Sequence, residues 1–286
     1  MEFTRLTDAQ RQSFAEDGFL HVPNALSPDE VEALLQASDK LAGPWLGKAH
    51  IQYKPWGNDL DLRPGLLYQD PLFDLVTCYT TVPLVVQLLS PNIHLHSTAL
   101  TYKKPEAADL PPFHRGWHRD IRIPRDLGHE HLPLVGIKIC YCLTDFDPPG
   151  SGMTLMARKS HLAQSPMRLP AEGIDPVEYE ACDIPMKAGD ALLFENRIYH
   201  TATPSRQGKI TKRLIYGYSY RWMKPEVYLD IPDPDLLAKA DPVMYQLLGG
   251  YRDIDTRPWA MNDWAEKNGV LAPPVPWVVR DLPENQ

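Results

Sequence analysis

Residues 213–222 alternate strictly in character. Leu214, Tyr216, Tyr218, Tyr220 and Trp222 fall on one side of an extended chain, and Arg213, Ile215, Gly217, Ser219 and Arg221 fall on the other. A period of two is the signature of a β-strand with two different environments. The first face is a normal apolar surface for helices to cover. The second begins with an arginine and continues with mostly small residues, which leaves room for a ligand. A fold that holds this strand has helices on one side of a sheet and an enclosed space on the other.

The remaining sequence supplies both. Thr7-Asp8-Ala9-Gln10 has the form of a capping box, and Gly18 is placed to stop the helix it opens. Residues 19–22 predict a short strand. Ser27 as N-cap, Pro28 at the first helical position and Glu30 as the reciprocal cap open a helix to about Leu41, with Val31, Leu34, Leu35 and Ser38 as its buried stripe. Asp70-Pro71 opens another, with Leu72, Leu75, Val76 and Tyr79 at helical spacing, and Pro83 predicts a break in it. From about residue 93 the texture turns to β, with strands expected over 94–102, 135–143, 154–157, 191–194 and 213–222. Helices first and spaced strands afterwards predict a mainly β fold with packed helices: a double-stranded β-helix, the jelly-roll or cupin-like barrel, with the N-terminal helices on one sheet. The chain reads as a single domain over 1–286, with helices over about 7–90, the barrel over about 93–222 and an extension over about 223–286 that holds a helix near 234–248.

Composition narrows the function. A formal charge of −8 and a pI near 5.7 argue against nucleic acid or an anionic membrane as partner, which leaves a small-molecule substrate. No run approaches the roughly 20 apolar residues of a membrane span, and the N-terminal residues lack a signal-peptide layout, so a cytoplasmic location is expected. Oligomeric state is open. Cys140 and Cys142 lie in an apolar run and read as buried free thiols.

His118 and Asp120 are two residues apart and can aim an imidazole and a carboxylate at one point; His200, eighty residues later, can complete the set. Two histidines and one carboxylate on one face of a metal suit a non-haem Fe(II) oxygenase. Thirteen residues after His200 comes Arg213, whose guanidinium fork can pair with the distal carboxylate of 2-oxoglutarate. Arg206, in the turn before it, is the rival. Arg122 shares parity with His118 and Asp120 and is a candidate clamp for an anionic substrate group, against the plainer reading of a solvated charged loop. Residues 50–64, aromatic but without a period, read as a lid in which Tyr53 and Trp56 are candidate substrate contacts. The aromatic tail reads as satellite core. His94 and His96 share strand parity and read as surface or satisfied core positions.

The motifs Phe14-Ala15-Glu16-Asp17-Gly18-Phe19, Tyr102-Lys103-Lys104-Pro105, Trp117-His118-Arg119-Asp120, Leu143-Thr144-Asp145 through Gly152, Lys159-Ser160-His161, Gly189-Asp190-Ala191-Leu192-Leu193-Phe194, His200 and Arg213 follow in order. In that order, over about residues 10–222, the chain resembles the phytanoyl-CoA dioxygenase-like family of Fe(II)/2-oxoglutarate-dependent oxygenases. The resemblance implies Fe(II) held by His118, Asp120 and His200, 2-oxoglutarate bound by Arg213, O₂ as oxidant, and Lys103 and Thr154 as further contacts to the cosubstrate. It implies oxidation of a C–H bond of a small metabolite with release of succinate and CO₂. Hydroxylation is the expected outcome; desaturation, cyclisation and epoxidation use the same centre. A cupin-like binding module without turnover, or a metal dioxygenase that needs no 2-oxoglutarate, would keep the barrel. Halogenation is disfavoured because Asp120 is present. One departure stands out: Arg158-Lys159-Ser160-His161 occupies the place of the family's Pro-Gly-Ser-His, which changes backbone preferences in that loop. His161 reads as structural.

Overall fold

The computed structural model describes residues 4–45, 60–63, 65–106, 116–120, 132–206, 208–226, 233–251 and 260–269. Among the described residues nine strands form two antiparallel sheets. The larger has the order β1-β7-β4-β9-β3-β2, from β1 (Phe19–Val22), β2 (Leu60–Leu62), β3 (Ile93–Lys103), β4 (Gly136–Cys142), β7 (Ala191–Glu195) and β9 (Thr211–Tyr220). The smaller has the order β6-β5-β8, from β5 (Thr154–Ala157), β6 (Ala181–Asp183) and β8 (His200–Ala202). Isolated bridges His118↔His200, Phe146↔Met186 and Ser151↔Ser205 extend the pairing beyond these strands. This is the double-stranded β-helix expected, except that the larger sheet does not start at residue 93. Its two edge strands, β1 and β2, come from the N-terminal region. β2 also takes residues 60–62 out of the expected lid and pairs them with Leu100–Tyr102.

The helices form where their caps predict. α1 (Asp8–Asp17) and α2 (Pro28–Ala42) each begin with a complete capping box, from Thr7 with Gln10 and from Ser27 with Glu30. Gly18 ends α1 at φ 83°, and a Cβ there would lie 2.6 Å from Nδ1 of His161, so both the backbone and the neighbour require glycine.

The stretch Asp70–Leu88 corrects two expectations. An 18-residue window of this 19-residue stretch has a mean hydropathy of 1.3, enough by length and composition to cross a membrane, so an apolar run of nearly that size does exist. It is not one helix, however. α3 (Asp70–Asp74) runs into a 3₁₀ turn, the chain then breaks at Cys78–Thr81, and α4 (Val82–Leu88) restarts. Pro83 therefore opens the second helix rather than breaking the first, as its missing N–H favours. Leu72, Val76, Val82, Leu84 and Val85 are fully buried in the protein core. In the tail, the expected helix is two, α5 (Pro234–Leu237) and α6 (Pro242–Leu247), because Asp241 and Pro242 start a new cap. With α7 (Ala260–Lys267) they bring Leu236, Met244, Leu247, Leu248 and Ala265 into the main core. The described part of the tail thus joins the main core, where a satellite core was expected; Tyr228, Trp259 and Trp277 lie outside the described residues.

Two apolar clusters result. One lies between the helices and the outer face of the larger sheet, and includes Leu72, Val76, Tyr141, Tyr216 and Tyr218. The other fills the barrel between the sheets with Phe19, Cys140, Cys142, Phe146, Met153, Met156, Met186, Leu192 and Phe194. All four cysteines are free and buried, and burial raises the thiols of Cys140 and Cys142.

Candidate metal centre

His200 opens β8, and its backbone exchanges both hydrogen bonds with His118: the His118 amide donates to the His200 carbonyl at 3.0 Å and the reverse bond is 2.9 Å. The bridge sets the two imidazoles 4.3 Å apart between ring centroids. Asp120 lies in a bend two residues beyond His118, not in a continuing strand, yet its carboxylate turns to the same point. One donor atom from each of His118, Asp120 and His200 lies within 4.8 Å of the others. The side chain of His118 is 55% exposed, whereas those of Asp120 and His200 are 11% and 7% exposed. The cluster thus opens to solvent on the His118 side.

The donor chemistry fits a divalent metal. Each histidine uses Nδ1 toward a backbone carbonyl two residues earlier, Gly116 for His118 and Ile198 for His200, which leaves Nε2 as the free donor. Burial pushes His200 down to about 4 against the pull of Asp120, so the ring is neutral and its lone pair available at neutral pH. Burial alone would raise Asp120, but the Lys138 ammonium 2.8 Å from Oδ1, with His200 and His118 beside it, holds the carboxyl well below the usual range. Oδ2 of Asp120 is buried with no hydrogen-bond partner. A buried anionic oxygen 3.5 Å from His200 Nε2, with the His118 imidazole beside the same carboxylate, is a place for a cation.

Arg213 sits deeper in the barrel, in register with Thr101 and Cys142 and 8% exposed. Its Nη1 donates to Thr154 Oγ1 at 3.1 Å and to the Gly152 carbonyl at 3.4 Å, across to the smaller sheet, while Nε is buried without a partner. Ser205 Oγ and Thr211 Oγ1 are also buried and unpartnered. Arg206 is exposed, and the pairing of Arg213 with Thr101 and Cys142 is what fixes the strand register expected. Lys103 is paired with Thr211 across β3 and β9 and is buried, with an ion pair to Glu106 at 3.6 Å. Arg119 points away from the cluster and stacks on the Tyr199 ring at 4.4 Å. His94 is buried and bonded to Ser219 at 3.1 Å, and His96, at a β-bulge, lies beside it with the two rings 6.3 Å apart. His161 meets the Ala15 carbonyl at 3.0 Å, holding the loop against the end of α1. Lys159 adopts φ 65°, so the loop keeps the left-handed turn that glycine would take, at some strain. Tyr53, Trp56 and Arg122, and the rest of the expected lid apart from residues 60–63, lie outside the described residues. Lys138 is the residue that sequence reading passed over; the signal was a lone lysine in the apolar run around it.

The phytanoyl-CoA dioxygenase (PhyH) family signature matches residues 14–213, and the chain belongs to that family, within the Fe(II)/2-oxoglutarate-dependent oxygenase superfamily. A search of curated proteins finds no significant match. Among solved structures, the fold is similar to HygX from Streptomyces hygroscopicus with nickel and 2-oxoglutarate bound, at 17% identity and TM-score 0.63 over 82% of this chain and 94% of that one. It is also similar to two α-ketoglutarate-dependent proteins of nogalamycin biosynthesis. The carbocyclase SnoK shares 20% identity at TM-score 0.61, over 82% of this chain and 92% of that one. The epimerase SnoN shares 18% at 0.60, over 82% and 91%.

Proposed function

We propose that the protein is an Fe(II)- and 2-oxoglutarate-dependent enzyme that oxidises a small-molecule metabolite at a C–H bond. The observation that carries this reading is the buried Asp120 carboxylate, with its unpartnered Oδ2, gathered with donor atoms of His118 and His200 within 4.8 Å of one another. His118, Asp120 and His200 would hold the iron. Arg213 and Thr154 would bind the distal carboxylate of 2-oxoglutarate, with the orphaned Arg213 Nε, Ser205 Oγ and Thr211 Oγ1 as further donors. Arg213 lies four residues along β9 from Gly217, the strand position level with the metal cluster, or about 13 Å. A long guanidinium side chain and a five-carbon diacid together cover that span. When bound, iron and 2-oxoglutarate supply O₂ activation with release of succinate and CO₂. The protein fixes the ligands, keeps His200 neutral, and encloses the cosubstrate among Phe146, Met153, Met156 and Phe194.

For the outcome, ring closure or epimerisation is preferred to plain hydroxylation. What supports this is that two proteins of the same fold are named as a carbocyclase and an epimerase. Arg213 and the buried hydroxyls favour 2-oxoglutarate turnover over a silent binding module. The test is anaerobic metal loading followed by 2-oxoglutarate decarboxylation in a metabolite screen. His118→Ala, Asp120→Ala and His200→Ala should each abolish Fe(II)-dependent succinate release while the fold remains. A variant of any of the three that keeps most of its activity removes that residue from the set. Product mass then decides the outcome, since hydroxylation adds an oxygen atom, ring closure removes two hydrogens, and epimerisation, which needs an added two-electron reductant such as ascorbate to balance O₂ reduction, leaves the mass unchanged.

A further inference from the structure

Phe19, Phe194, Lys138, Gly217 and Ser97 lie side by side across four junctions of the larger sheet, one residue from each of β1, β7, β4, β9 and β3. Their shared row faces the barrel interior at the level of the metal cluster. Two members reach the cluster directly. The Phe194 ring lies 4.9 Å from the His200 ring, and Lys138 Nζ lies 2.8 Å from Asp120 Oδ1. Lys138 interrupts an otherwise apolar strand: Ile137, Ile139 and Cys140 are essentially fully buried, and its own side chain is only 19% exposed. A cation in such a place is costly unless a carboxylate meets it.

Gly217 makes the room. A Cβ there would lie 2.5 Å from Ser97 Oγ and 3.3 Å from Lys138 Cγ, so any side chain would crowd the lysine as it crosses the row. The two oxygens of Asp120 then have different surroundings. Oδ1 is held by Lys138 at 2.8 Å and lies 4.0 Å from His118 Nε2, whereas Oδ2 has no hydrogen-bond partner and lies 3.5 Å from His200 Nε2. The small cavity beside Asp120 is lined by His96, Lys138, Asn196 and Gly217, and among the described residues Lys138 is its one lysine or arginine.

We propose that Lys138 is a positioning residue for the metal carboxylate. It occupies Oδ1 and commits Oδ2 as the single donor, so that Asp120 takes one coordination position and not two. It also offsets the aspartate charge before metal arrives, which keeps the cluster formed in the metal-free protein. This rests on the reading of His118, Asp120 and His200 as the metal ligands. It follows that Lys138 is not free to clamp an anionic substrate.

The test is Co(II) binding to the full chain without 2-oxoglutarate, measured by chelator competition and by the visible absorption of the bound cobalt. Lys138→Met should weaken Co(II) binding by about 10–100-fold. It should also change the intensity of the cobalt bands, as a second carboxylate oxygen enters the coordination sphere. Lys138→Arg should restore most of the affinity, which a simple packing role would not predict. Should Lys138→Met fail to fold, Lys138→Gln carries the same comparison. A folded neutral variant with wild-type affinity and spectrum overturns the proposal while leaving the metal site intact. Wild-type protein that binds no Co(II), or binds it equally well after His200→Ala, overturns the metal reading and this inference with it.

Discussion

The two faces of β9 are built on different principles. Toward the helices, every described tyrosine of the strand ends in a hydrogen bond: Tyr216 Oη donates to the Leu72 carbonyl at 2.6 Å, Tyr218 to Val76 at 2.8 Å and Tyr220 to Leu89 at 3.5 Å. Toward the barrel, the same strand and its neighbours leave Arg213 Nε and Thr211 Oγ1 buried with no partner, and Asp120 Oδ2 joins them at the mouth. On the outer face the strand's own hydroxyls are closed off, although Ser38 Oγ in α2 is buried without a partner. The inner face keeps polar groups open at a cost that packing elsewhere must offset. Such incomplete satisfaction marks where a ligand belongs.

The largest test of that contrast is Arg213→Ala. It should raise the 2-oxoglutarate requirement strongly, by on the order of 2–5 kcal/mol of cosubstrate binding, because the bound carboxylate loses its charged partner. Arg206→Ala should leave it near wild type. Measured 2-oxoglutarate KM and calorimetric affinity that fall on Arg206 instead would end the assignment of the inner face to the cosubstrate.

Acid should also act on the inner face first. Burial holds His94 and His200 each down to about 4, against an ordinary value of 6.5. Between those values the unfolded chain binds protons that the folded chain refuses. Stability is therefore full above pH 6.5 and falls as pH drops toward 4, with each site contributing on the order of 3 kcal/mol. The tyrosines of the outer face do not titrate in that range. Denaturant melts of metal-free protein that give equal stability at pH 7.5 and 4.5 would contradict this.

Much of this was legible in the sequence, and the reasons are local. The capping boxes at Thr7 and Ser27, the alternation of β9 and the parity of His118 with Asp120 all depend on residues within a few positions of one another. What was not legible depends on distant partners. β6 and β8 have three residues each, too few to show a period, and they exist because β5 lies between them. β2 was hidden in a segment read as a lid because its pairing is with β3, about forty residues on. The role of Lys138 required knowing that Asp120 would arrive opposite it.

Smaller effects sharpen the comparison from the finished side. Tyr216→Phe removes a buried donor and leaves the Leu72 carbonyl unpaired, which should cost about 1–2 kcal/mol in denaturant melts and leave metal affinity unchanged. A change in metal affinity would mean that the two faces are coupled through the strand. Lys159→Gly is the smallest. It relieves a non-glycine residue at φ 65° and should raise stability by about 0.5–1 kcal/mol, seen as a modest rise in Tm, with cosubstrate binding unaltered.

The two edge strands of the larger sheet have a consequence for how the chain assembles. β1 is made early in synthesis, but its register partner, Phe194 opposite Phe19, is made 175 residues later. Until β7 emerges, Phe19 and Leu20 have no sheet to join. α1 and α2, which carry their own caps, can form on either side of that waiting strand. Closure of the barrel is thus a late event governed by long-range pairing, and a topology of that kind folds slowly compared with one built from neighbours. Until β7 pairs with β1, the row that carries Lys138 and Phe194 toward the metal cluster lacks its outer member.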